Sequence, residues 1–175
     1  MTNGESASLP PTIFHLEMCD RGDFRPSAFP PGFDVELIEP PDPERNRELY
    51  RSVGAKWQWK DKLPWSEEDW QRYICRDALK TFVGFLDGQV VGYFELETQD
   101  GGNVEIAYFG LLPEHIGKGL GGTLLTAAVE RAWELQDTKR VWVHTCTLDH
   151  EHALANYLKR GFTVFRETSS QGSLS

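Results

Sequence analysis

The stretch VEIAYFGLLPEHIGKGLGGTLLTAAVE, residues 104–130, constrains this chain more than any other. An apolar strand runs into Pro113, and Gly117, Gly119, Gly121 and Gly122 follow. Leu124, Leu125, Ala128, Val129, Ala132 and Trp133 then recur at helical spacing through about Gln136. Glycines between a strand end and a helix start leave backbone N–H groups pointing into open space, where the helix dipole favours an anion. The stretch reads as a phosphate cradle.

The rest of the chain reads as alternating elements around it. Strands are expected at Thr12–Met18, Phe33–Ile38, Thr81–Leu86, Gln89–Glu97, Arg140–Cys146 and Thr163–Glu167, with Asp87-Gly88 as a two-residue hairpin turn. Pro43-Glu44 opens a helix reaching Val53, and Ser66-Glu67-Glu68-Asp69 is a capping box for one ending near Cys75. Asp149 or Thr147 is the expected cap of a short helix holding Ala153, Leu154, Tyr157 and Leu158, which Gly161 ends. Residues 1–11 read as disordered and the serine-rich tail as loose. The order defines an α/β fold: a mixed, largely antiparallel central sheet with flanking helices, in a single domain over residues 1–175. A strand and loop over 12–32 precede a core at 33–168.

A net charge of −9 argues against nucleic acid or an anionic membrane as the main partner, and is compatible with a cationic substrate. The three cysteines form no C-x-x-C pair and read as reduced thiols. No run of eighteen apolar residues occurs, and no basic segment leads an apolar one at the N-terminus. Cytoplasm is the expected compartment.

Three cradles compete for the glycines. A P-loop needs four residues between its first glycine and Gly-Lys-Ser/Thr, whereas six separate Gly110 from Gly117 and Gly119 follows Lys118. Gly117, Gly119 and Gly122 match G-x-G-x-x-G, but Pro113–Ile116 intervenes after the strand and no acidic residue ends the next strand, RVWVHTC. The third match is broader. Pro113-Glu114-His115-Ile116-Gly117-Lys118-Gly119-Leu120-Gly121 fits P-x-x-[QR]-G-x-G-x-[GA] except at Ile116, and Tyr157-Leu158-Lys159-Arg160-Gly161-Phe162 fits Y-x-x-x-G-F. On these motifs the chain resembles the GCN5-related N-acetyltransferase superfamily, over residues 33–168.

That resemblance implies acetyl-CoA bound across a splayed sheet and an amine acceptor; no metal, nucleic acid or membrane is expected beside them, and a homodimer is left open. The diphosphate would lie on the amides of Gly117, Lys118, Gly119, Leu120, Gly121 and Gly122 and on the Thr123 hydroxyl. Pantetheine would pair with Phe109, Gly110 and Leu111, whose Leu111 N–H would polarise the thioester carbonyl. Ile116 and His150, the latter standing where many relatives carry a helix asparagine, depart from the pattern. Thr12–Met18 is assigned to a sheet edge, because only one strand follows Phe162.

An amine with pKa near 10.4 is neutral about once in 2,500 molecules at pH 7, so direct transfer needs a base. Glu105 stands where several protein-acetylating relatives carry a glutamate base, and strand alternation groups it with Ala107, Phe109 and Leu111. The alternative is a solvated strand-start carboxylate paired with an arginine. Tyr157 matches the family's tyrosine beside the sulfur, a proton donor to the leaving thiolate; the alternative is a core tyrosine. His144, on a strand bordering the expected splay, is a second candidate base. Its spacing from His150 and His152 does not suit a metal. Trp57 and Trp59, two of four tryptophans within residues 57–70, are candidate acceptor-lining residues sharing one face. A non-catalytic acyl-CoA sensor of the same fold is the rival function.

Overall fold

The computed structural model describes residues 10–57 and 59–169; the tail beyond Ser169 and all but the end of the 1–11 stretch lie outside it. Its strands are β1 (Thr12–Met18), β2 (Phe33–Leu37), β3 (Leu79–Leu86), β4 (Gln89–Gln99), β5 (Asn103–Leu111), β6 (Arg140–Cys146) and β7 (Thr163–Ser169). Its helices are α1 (Pro43–Gly54), α2 (Glu67–Ile74), α3 (Leu120–Glu134) and α4 (Ala153–Lys159). The strands form one sheet in the order β2–β3–β4–β5–β6–β1–β7, antiparallel except between β5 and β6. The Asp42 carboxylate accepts from the Arg45 N–H to cap α1, and Ser66 and Asp69 close the expected capping box of α2.

Each face of the sheet has its own apolar layer. Leu124, Leu125, Ala128 and Val129 of α3 pack on Phe82, Phe94, Leu96, Val104, Ile106, Val141 and Val143. The opposite face meets α1 and α2 through Leu49, Val53, Val83 and Tyr93, and through Tyr50, Trp70, Ile74 and Leu79. Alternation along β4 explains the division: Phe94 and Leu96 point to α3, while Tyr93 faces α1.

β1 is not at an edge. It lies between β6 and β7, antiparallel to both, with Leu16 opposite Val143 on one side and Val164 on the other. Leu16 and Met18 are fully buried under α3 and α4, which is why this strand belongs inside the sheet.

A second departure arises in β5. Glu95 opposes Tyr108 and Leu96 opposes Ile106, so Ala107 is an extra residue, a β-bulge. The bulge reverses the alternation. Phe109 and Leu111 join Val104 and Ile106 on the α3 face, whereas Tyr108 turns to the α1–α2 face. Glu105 opposes Glu97, two residues from the Tyr108 partner Glu95, and so shares the Tyr108 face. Glu105 therefore does not share a face with Phe109 and Leu111, contrary to strict alternation.

Beyond the bulge β5 runs tightly under α1. A Cβ on Gly110 would fall within contact distance of the Val53 Cγ1, and Val53 is fully buried. Gly110→Ala should therefore cost about 1–3 kcal/mol by overpacking, read as a lower denaturant midpoint at unchanged slope.

Candidate active site

β5 and β6 stay paired only from Asn103–Glu105 against Arg140–Trp142. Past that point they diverge, and a cavity of about 940 Å³ opens between Ile106–Leu111 and Val143–Cys146. This is the splay that the family resemblance implies. Leu112 N–H donates to the Val91 carbonyl at 2.8 Å, so strand alternation turns the adjacent Leu111 N–H away from β4 and toward the wedge.

At one end of the wedge lies the glycine loop. Gly117 and Gly119 have φ of +83° and +78°, and an added Cβ at either would meet nothing within 4 Å. Backbone conformation, not crowding, requires glycine there. Gly119 caps α3 with no side-chain hydrogen bond, and the first turn of the helix has no acidic residue. The unpaired amides of a helix start fall here on Gly119, Leu120, Gly121 and Gly122. The Arg160 Nε, buried without a partner, belongs to a guanidinium about 3.8 Å from the place of a Gly122 Cβ. An orphaned cationic donor beside bare helix amides fits a diphosphate.

The cradle departs from expectation in detail. Thr123 is 5% exposed and lies in the second half of the first helical turn, outside the cavity lining. Leu120 is buried too, leaving only its amide, while Lys118 is exposed. Ile116 lines the cavity. His150 precedes α4 rather than sitting on it, and its Nδ1 accepts from the His152 N–H at 3.1 Å. Asn156, on α4, is the asparagine that lines the cavity beside Gly121 and Gly122. Neither Asp149 nor Thr147 caps α4. Asp149 accepts from Thr145 Oγ1 (2.7 Å) and Cys146 N–H (2.9 Å), and Thr147 Oγ1 from Thr12 N–H (3.1 Å). These bonds instead shape the end of β6, which carries one wall of the wedge.

Tyr157 projects from α4 into the same cavity. It is 5% exposed, and its ring packs against Phe109 and Phe162, so it is at once a core residue and a wall of the site. Burial, reinforced by the Asp149 charge, raises its pKa, and the phenol keeps its proton.

Glu105 and His144 meet across the closed end of the wedge, with His144 Nδ1 3.4 Å from Glu105 Oε1. The Glu105 side chain is 14% exposed and that of His144 49%. Gln99 Nε2 donates to Glu105 at 3.0 Å, and Trp142 Nε1 donates to Gln99 at 2.9 Å, which orients the carboxylate. Its partner is thus a histidine and not an arginine. The hydrogen bond to Glu105 raises the His144 pKa above its ordinary value, more than burial lowers it. His15 stacks obliquely on His144 from β1, at 6.0 Å between ring centres.

Trp57 and Trp59 both line the cavity, but from a turn, and they diverge. Trp57 meets His150 edge-on at 5.3 Å, whereas Trp59 packs on Tyr50 and Tyr108. Between Trp59 and Trp65 lies a residue without an evident sequence signal: Lys62 is 6% exposed and lines the cavity. Its ammonium sits 3.3 Å from the Tyr73 ring centre and 4.1 Å from that of Tyr108. Desolvation pushes its pKa down to about 8. Glu95 is 1% exposed behind these rings and accepts from Tyr73 OH (2.8 Å) and Asn46 Nδ2 (3.0 Å). Glu95 does carry a mark in the sequence, a lone carboxylate inside the apolar run VVGYFEL, which the alternation of strands alone does not single out. Among the described residues no cluster of three His, Cys, Asp or Glu could hold a metal, and no helix is long and apolar enough to cross a membrane.

Two parallel strands part here over a glycine-rich helix start that no side chain caps. The family model for the Acetyltransferase (GNAT) family matches residues 43–162. The chain belongs to that family. Among solved structures, a GCN5-related N-acetyltransferase from Sphaerobacter thermophilus superposes with a TM-score of 0.71 at 15% identity, over 91% of this chain and 50% of that one. One from Kribbella flavida gives 0.62 at 21%, over 90% and 55%. An aminoglycoside acetyltransferase from an uncultured soil metagenomic sample gives 0.61 at 19%, over 74% and 87%. At these identities the likeness is one of fold, and the chain spans about half the length of the first two. No curated protein matches the sequence.

Proposed function

We propose that this chain is an acetyl-CoA-dependent N-acetyltransferase that acetylates a primary amine by direct attack in a ternary complex, with cytoplasm as its compartment. The observation that carries this reading is the Glu105–His144 pair facing a wedge whose far end is the bare glycine cradle. Acetyl-CoA supplies the acetyl group as an activated thioester. The amides of Gly119 to Gly122 and the Arg160 guanidinium would hold its diphosphate, and the free edge of β5 would hold its pantetheine arm. The Leu111 N–H, turned away from β4, would donate to the thioester carbonyl. Glu105, directly or through His144, takes the proton from the amine. Tyr157, which burial keeps protonated, donates to the leaving sulfur. Trp57 and Trp59, which line the cavity, would meet the acceptor.

The test is release of thiol from acetyl-CoA with a panel of amines, beside a thermal-shift measurement. Acetyl-CoA should raise the melting temperature and NAD should not; stabilisation by NAD alone would exclude the assignment. Ile116, where an Arg or Gln is usual, favours a second reading as a non-catalytic acyl-CoA sensor. Binding without turnover on any amine would select it. Tyr157→Phe should lower kcat with little change in acetyl-CoA affinity, since only the hydroxyl is removed; loss of affinity alone would leave Tyr157 a packing residue.

A further inference from the structure

Lys62 is an unusual occupant of this cavity. It is nearly fully buried, yet among the described residues it makes no ion pair, and its ammonium is held by ring faces. Tyr73 and Tyr108 lie closest, with the Trp65 and Trp70 ring centres at 4.9 and 5.7 Å. Glu95 supplies a buried carboxylate behind them. The rings come from α2 and the turn before it and from β5, and they brace one another: Trp65 meets Trp70 and Tyr73 edge-on. Lys62 itself comes from the turn between α1 and α2, flanked by exposed Asp61, Leu63 and Pro64. Its backbone is tied there by its N–H to Tyr50 OH at 3.2 Å. The cage is built on fixed elements; the cation inside it is delivered on a flexible stem.

Aromatic faces backed by a carboxylate select a cation. An amine about to attack a thioester must be neutral, so the cage does not suit the reacting nitrogen. Glu105 shares the Tyr108 face of β5 and, because the bulge takes up Ala107, stands two ladder steps away, about 7 Å along the strand and within reach of one acceptor.

We propose that the cage of Tyr73, Tyr108 and Trp65 over Glu95 is a binding site for a second, charged ammonium of a polycationic amine acceptor, and that Lys62 is its displaceable internal occupant. The word acceptor rests on the transferase reading; the cage itself does not. An incoming ammonium enters from the cavity, replaces the Lys62 ammonium over the rings, and leaves that side chain in solvent.

The test uses 1,6-diaminohexane without acyl-CoA, with 1-hexanol as the neutral control. By calorimetry, Lys62→Met should bind the diamine at least 10-fold tighter than the wild type, with hexanol affinity unchanged. Adding Glu95→Gln should reverse that gain. In the wild-type chain, saturating diamine should raise acetic-anhydride labelling of Lys62 several-fold by mass spectrometry, a readout that stands even if Lys62→Met does not fold. Unchanged labelling, or no gain in affinity for a folded Lys62→Met, would overturn the proposal and leave Lys62 a structural cation. Diamine binding of the expected kind without thiol release from acetyl-CoA would retire the transferase reading alone. Thiol release with a cage-independent KM would retire the cage alone.

Discussion

Glu105→Gln lowers turnover by about 10²–10⁴-fold, the range for loss of a positioned base, with acetyl-CoA affinity held within about 3-fold. The amide keeps the size of the side chain and its contact with Gln99 while removing the proton acceptor. The same change shows in His144. Its pKa stands above the ordinary 6.5 chiefly because of the Glu105 hydrogen bond. The pair therefore contributes stability that is complete below pH 6.5 and is lost as pH rises through the raised value. For turnover the sign is reversed: a protonated pair cannot take the amine proton, so the wild-type rate falls on the acid side, with a limb above pH 6.5. In Glu105→Gln the raising bond is gone and the imidazole titrates lower, followed directly by NMR. An unchanged rate–pH profile and an unmoved His144 titration would remove Glu105 from the chemistry.

Gly122→Asp separates stability from binding, with opposite signs. Position 122 is in the first turn of α3, and a Cβ there meets Asn156, Arg160 and Ser27 only at 3.5–3.9 Å. An acidic residue in that turn favours the helix dipole by about 0.3–1 kcal/mol, and replacing glycine inside a helix adds to this. The ligand-free melting temperature should rise. A carboxylate among the amides proposed to hold the diphosphate would repel it by about 4 kcal/mol at 4 Å and an effective dielectric of 20, before screening. Acetyl-CoA affinity should fall at least 100-fold, and the thermal shift on its addition should vanish. A retained shift would place the diphosphate elsewhere.

Much of the architecture could be read from local pattern. Thr12–Met18 and Arg140–Cys146 come out residue for residue, because alternation and flanking breakers are local signals. The glycine turn before α3 and the place of Tyr157 on α4 are legible from local motifs too. What could not be read depended on partners distant in sequence. The bulge at Ala107 exists only in the register of β5 against β4, so Glu105 was set on the wrong face relative to Phe109. The Glu105–His144 contact joins residues on two strands separated by α3, and neither residue carries a mark of the other. Lys62 is the extreme case. A lysine between polar neighbours is ordinarily solvated, and only the folding of α2 beside β5 closes rings around it.

The place of β1 bears on how the polypeptide is made. Residues 12–18 leave the ribosome well before their partners β6 and β7, with Thr12 paired to Ser169. At about 5–20 residues per second, that apolar segment waits on the order of ten seconds or more for its neighbours. Strands β2–β5 can assemble in the meantime, so β1 is locked in place only after strands that follow it in the chain. A fragment cut to the family match at residues 43–162 lacks β1, β2 and β7. Such a fragment exposes the outer edge of β6, the strand that forms one wall of the wedge, and offers it to other chains as a template for aggregation. Expression boundaries for this protein should therefore begin before Thr12.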